Sequence, residues 1–209
     1  MVKRWGAVIH PQELNERWLA RVGEAGITVL GLHPVGGVRA ADSLAEMIEE
    51  EFLPERQRLY QTARGMGVAI EYEMHALSYL MPRRLFGAHP EWFRMDESGK
   101  RTADFNLCAS NAQGLAYIEK RAEILAGIFR PDSDRYYFWL DDVSGYRCHC
   151  PLCRDLSASD QQLLAVNALQ RGVRRANPSG RMAYIAYVDA LQTPRAVKPE
   201  PGVFLEFAP

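Results

Sequence analysis

The sequence predicts an α/β fold, a (β/α) barrel of the TIM type that stops short of closure. Three observations point there. Short apolar runs alternate with segments of helical periodicity along the whole chain. The apolar runs show little polar alternation, as expected of strands covered on both faces. No Gly-rich phosphate loop follows the first run, which argues against a dinucleotide-binding sheet.

The elements follow in order. "WGAVIHP", Trp5 to Pro11, is a short strand closed by His-Pro. The next segment places Leu14, Trp18, Leu19 and Val22 on one helical stripe and ends at Gly26. "ITVLGLHP" is the second strand and also closes on His-Pro. Asp42 or Ser43 suits the cap of a second helix, and Pro54 suits the first turn of a third. "VAIEYEMHAL" is the third strand. The segment from Ser78 to Asn111 is too long for an ordinary connection and reads as a functional excursion. Asn111 or Ser110 caps the helix after it. "RYYFWLDD" is the fourth strand, Ser159 is the expected cap of the following helix, and "RMAYIAYVD" and "GVFLEFAP" are the fifth and sixth strands. A closed barrel of this type has eight strands. Six are counted, so residues 1–209 read as a single, partial barrel domain.

Composition narrows the function classes. The 209 residues are 47% hydrophobic, enough for one substantial core. Net charge is −1 and no basic run stands out, so nucleic acid is not an expected partner. No apolar stretch approaches a membrane span and no leader precedes the first strand, so a soluble chain with no membrane partner is expected.

Polar residues gather where the strands end. In the third strand, Val68, Ile70, Tyr72 and Met74 share one face, while Glu71, Glu73 and His75 share the other. Acids fit poorly against a helix layer, so the second set is expected to point inward as barrel polars or substrate contacts. Three strands end on histidine, at His10, His33 and His75, and strand C-termini form the catalytic face of barrels. The His-Pro turns give His10 and His33 a purely local explanation as well. Asp141 and Asp142 end the fourth strand and Glu206 the sixth. Two neighbouring carboxyls in a confined site raise one pKa, which suits a general acid. Asp142 is expected in that role, with Asp141 beside it and Glu206 as the second carboxylate; capping of a turn or an arginine partner would explain either aspartate structurally. Trp139, Tyr146, Tyr184 and Tyr187 make the expected mouth aromatic, and acids among aromatics suit a sugar-cleaving site.

Four cysteines fall in two loops. Cys148, Cys150 and Cys153 form C-x-C-x-x-C, and Cys108 lies far upstream. The three suit a tetrahedral metal site with Cys108, His149 or an acid as fourth ligand, and with Cys108 the site would be a closed structural zinc site. The same spacing also suits a local disulfide or free thiols.

Four stretches occur in order: "HALSYLMPRRLFGAHPEWFRMDESGKR", "LCASN", "FWLDDVSGYRCHCPLCRDL" and "YVDALQTPRAVKPEPGVFLEFAP". Over roughly residues 65–209 they resemble a family of bacterial glycoside-hydrolase-like domains of unassigned function, related to α-glucuronidases. The matching positions are His75, His89 through Phe93, Cys108, Asp142 and the three clustered cysteines. The resemblance implies a barrel that hydrolyses carbohydrate by carboxylate acid/base chemistry. The family often has Asn where this chain has Asp141. Hexosaminidase-type barrels place Asp-Glu after the fourth strand, where this chain has Asp-Asp. Two rival classes remain open: a metal-dependent hydrolase with His10, His33, His75 and Asp141 as ligands, and a carbohydrate-binding barrel without catalysis.

Overall fold

The computed structural model describes residues 4–208. Six strands alternate with helices: β1 Gly6–Ile9, β2 Val29–Leu32, β3 Ala69–His75, β4 Arg135–Trp139, β5 Arg181–Ala186 and β6 Val203–Phe207. The helices are α1 Glu16–Glu24, α2 Ala40–Glu51, α3 Pro54–Gly65, α4 Leu77–Leu80, α5 Ala112–Ile128 and α6 Ala158–Ala176. The strands form one sheet in chain order, β1 to β6, and every pairing is parallel. All strand C-termini therefore open on one side. The fold is the incomplete TIM-type barrel that the alternation predicts.

Local chemistry sets the helix starts. Asn15 and Asn111 accept from Trp18 N and Gly114 N, capping α1 and α5, and Pro54 opens α3 at a position that needs no amide donor. Three expectations are corrected. α6 is capped by Ser157, which accepts from Asp160 N, while Ser159 is buried within the first turn. α2 begins at Ala40, ahead of Asp42 and Ser43, because a 3-10 turn at Gly37–Arg39 leads straight into it. β5 ends at Ala186, short of Asp189, because residues 188–190 form a 3-10 turn.

The period of two along each strand separates two environments. Leu30, Leu32, Ile70, Tyr72, Met74, Tyr136, Phe138, Met182 and Tyr184 face outward and join the helices in the main core. Inside, Tyr137, Trp139 and Ala183 pack with Ile185 and Phe204. β1 and β6 are the free edges. Their flanks are bare where further strands would close a barrel: Val8 is 54% exposed, and Leu205 and Phe207 are 69% and 65% exposed. No described helix is long and apolar enough to cross a membrane.

α5 and α6 approach closely because Gly172 carries no side chain; a Cβ there would collide with the backbone oxygen of Glu119. Arg171 and Arg175 of α6 grip the Glu119 carboxylate across the same seam. Gly172→Ala should therefore lower the stability of the fold by about 1–3 kcal/mol through overpacking, measured by urea unfolding. An unchanged midpoint would show that the seam yields.

Candidate functional site

β3 aims Glu71, Glu73 and His75 into the interior, as its alternation requires. Gly31 on β2 makes room for Glu73, because a Cβ there would collide with the Glu73 carboxylate. His10, His33 and His75 stand side by side at the ends of β1, β2 and β3, with ring centroids 6.3 and 5.8 Å apart in that order. The indole of Trp139 lies 5.7 Å from the His33 ring and 5.2 Å from that of His75. Its Nε1 donates to Glu206 Oε2 at 2.9 Å, so one aromatic ring spans from the histidines to the carboxylate of β6.

Glu73 and Glu206 are the interior carboxyls with the most altered proton affinity. Burial first, then the nearby Glu206 and Glu71 charges, pushes Glu73 up to about 7. Burial also pushes Glu206 up to about 7, with Glu71 adding to the rise and the Trp139 hydrogen bond opposing it. Glu71 lies deeper, 3% exposed, and its Oε1 has no hydrogen-bond partner among the described residues. Burial, and then Glu71, raises the Tyr137 phenol.

The two aspartates diverge. Asp141 is buried and turned toward the long excursion, where donors surround its carboxylate. Ser78 donates to Oδ1 through its amide at 3.1 Å and its hydroxyl at 2.5 Å. The Asn106 amide donates to Oδ2 at 2.7 Å, and the Arg83 guanidinium forms an ion pair with the same oxygen. Asp141 is thus engaged structurally by these donors. Asp142 is exposed at the rim. A methyl on Gly36 would sit 3.2 Å from His75 Cδ2 and 3.9 Å from Asp142 Oδ2, so that loop, β3 and β4 converge at one point. His75, Trp139, Asp142, Tyr146, Arg147 and Tyr187 line a pocket there. Tyr184 does not join them. It faces the helices, its hydroxyl donating to Ala190 O at 3.4 Å and lying 3.5 Å from Ser159 O.

All four cysteines are buried, and their sulfurs lie within 4.8 Å of one another. Cys108 Sγ is 3.6 Å from Cys150 Sγ and 3.9 Å from Cys153 Sγ, far beyond a disulfide bond. Four sulfurs each about 2.3 Å from a tetrahedral zinc would stand about 3.8 Å apart. The Met95 amide donates to Cys148 Sγ at 3.3 Å, and Ser110 Oγ lies 3.2 Å from Cys153 Sγ. Gln161 of α6 holds the loop from behind, accepting from Cys148 N at 2.9 Å and donating to Cys148 O and Cys153 O at 3.0 Å. The cluster is a set of four buried thiols close enough together that they could hold a metal ion. His10, His33, His75 and Asp141 form no comparable group among the described residues.

Residues 43–209 match the family described as "Domain of unknown function (DUF4838)". The chain belongs to that family. Among solved structures, this DUF4838 chain is similar to a β-galactosidase from Bacillus circulans sp. alkalophilus at 14% identity and a TM-score of 0.52, covering 88% of this chain and 36% of that one. An α-amylase from Lactobacillus plantarum aligns at 15% identity and a TM-score of 0.47, over 86% of this chain and 44% of that one. An α-galactosidase from Thermus thermophilus aligns at 18% identity and a TM-score of 0.46, over 88% and 38%. The DUF4838 chain thus spans less than half the length of each. No curated protein matches it by sequence. The first likeness is one of fold, to a glycoside-hydrolase barrel.

Sequence reasoning missed Ser78, Arg83, Asn106 and Gln161. Only Asn106 carries a local signal, an Asn at φ 55° in a left-handed position that Asn tolerates. Arg83→Ala leaves the Asp141 carboxylate buried without its cation and should cost about 3 kcal/mol in urea unfolding. Adding Asp141→Asn should recover part of that loss, because the uncompensated charge is gone. If the single change leaves stability intact, the ion pair is not what holds this corner.

Proposed function

We propose that the DUF4838 chain contributes the catalytic face of a glycoside hydrolase that cleaves carbohydrate by carboxylate acid/base chemistry, its residues forming a single partial barrel domain. One observation carries the reading: Glu73 and Glu206 share the interior, both near a pKa of about 7, with Trp139 bound to only one of them. A hydrogen bond to a carboxylate favours its charged form. Glu206 is assigned as the ionised member, its charge adding to the rise of Glu73 while Glu73 adds nothing to its own, and it acts on water or on the sugar. Glu73 holds the proton and donates it to the leaving oxygen as the glycosidic bond breaks. The fold likeness to a glycoside hydrolase supports the same class.

The test is hydrolysis of a panel of nitrophenyl and alkyl glycosides across pH. The pair needs one proton, so turnover should peak near pH 7 and fall on both sides. Glu73→Gln should lower turnover of alkyl glycosides by about 10²–10⁴-fold and remove the alkaline limb, with activated nitrophenyl substrates affected far less. If Glu73→Gln leaves both substrate types unaffected and Asp142→Asn produces this pattern instead, the donor is Asp142 at the rim. Binding without turnover anywhere in the panel would favour a carbohydrate-binding barrel.

We also infer that the four thiolates hold zinc as a structural ion, the tetrahedral sulfur spacing supporting that choice. Elemental analysis should find one zinc per chain, and Cys108→Ser should lose it with a lower melting temperature. Purified protein without metal and with oxidised cysteines would reject zinc.

A further inference from the structure

The histidine row has a uniform hydrogen-bond pattern. His10 Nδ1 lies 2.8 Å from His33 O, His33 Nδ1 lies 2.7 Å from Glu73 O, and His75 Nδ1 lies 2.7 Å from Leu140 O. Each ring reaches a carbonyl on the next strand of the sheet or on the residue just past its end. A carbonyl oxygen only accepts, so each Nδ1 must carry a proton. In a neutral imidazole the other nitrogen is then a bare acceptor. Three consecutive strand ends thus present three Nε2 lone pairs in one row. Nothing in the turns alone requires three rings to take the same tautomer.

We propose that His10, His33 and His75 form an acceptor row that binds the hydroxyls of an uncharged sugar and disfavours a sugar carboxylate. This rests on the glycosidase reading of the same mouth. A hydroxyl donates to a lone pair, whereas a carboxylate only accepts and would meet three acceptors. The surrounding charge acts in the same direction. The Asp142 carboxylate acts on His33, and Glu206 lies across Trp139. Of the nearby cations, Arg83 is paired with Asp141, while Arg147 gives one N–H to Leu156 O and keeps its charge at the pocket wall. Arg135 and Arg181 stack on the Phe204 ring near the strand starts. Burial first, and then His75 and His10, holds the His33 pKa below the ordinary histidine value, which keeps that ring an acceptor at neutral pH. Among the described residues the row does not converge as metal ligands do. The α-glucuronidase relation implied by the motifs would put an acidic sugar here; the acceptor row selects against one.

Two measurements test this. In protein labelled with ¹⁵N at the imidazoles, NMR at about pH 8 should find the proton on Nδ1 of all three rings. A proton on Nε2 of His33 or His75 overturns the inference. Saturation-transfer NMR and calorimetry should then compare methyl glycosides with the matching methyl glycosiduronates in the gluco, galacto and manno series. At about pH 8 a neutral glycoside should bind at least tenfold more tightly than its uronate, and His33→Phe should remove most of that difference. The preference should narrow as pH falls and imidazolium becomes a donor. Equal or tighter uronate binding overturns the inference and leaves the glycosidase reading standing. If no glycoside of either kind binds the folded protein, both fall.

Discussion

The mouth of this barrel depends on the buried carboxylate of Asp141. It receives donors from Ser78 just after β3, from Arg83 and Asn106 in the long excursion, and it belongs to the residue pair just beyond the end of β4. A buried charge is tolerated only when its oxygens are satisfied, so these segments must meet in one arrangement. The Asp141 amide also donates to the Asn106 side chain at 3.2 Å, closing the contact from both sides. With Asp141 pinned toward the excursion, its neighbour Asp142 is left at the rim.

The cysteine cluster extends that constraint. Cys108 follows Asn106 by two residues, so the carboxylate clamp and the thiol cluster hold the same strand of the excursion. His149 donates its amide to Met95 O at 2.7 Å, joining the cysteine loop to the excursion independently of any ion. The adjoining loop supplies Tyr146, whose ring is covered by the Arg94 guanidinium at 4.6 Å. Acids and thiols therefore share one strand end because a rim without regular secondary structure needs cross-links to keep its side chains in place.

The interior follows a different logic. Glu71, Glu73 and Glu206 lie among Tyr137, Trp139 and Phe204, where water is scarce and charge is costly. Burial raises the proton affinity of both Glu73 and Glu206. Trp139 supplies one donor, to Glu206 alone, and that asymmetry distinguishes two otherwise similar acids. Backbone carbonyls impose a parallel asymmetry on the histidines by claiming one nitrogen of each ring.

By itself the sequence determined what depends on neighbours in the chain. Apolar runs alternating with helical stripes set the parallel strand order, and the period of two put Glu71, Glu73 and His75 on one face. Asn111 and Pro54 marked helix starts through local backbone chemistry, and the cysteine spacing marked the cluster. Tertiary structure decided what depends on distant partners. Arg83 meets Asp141 across 58 positions and Trp139 meets Glu206 across 67, and no local pattern records either pairing. Folding gave Asp141 a cation and left its neighbour Asp142 exposed at the rim. The cap at Ser157, the outward face of Tyr184 and the early end of β5 were likewise settled by packing. A carboxyl's charge state follows from burial and from which donors reach it, and both exist only once the strands have come together.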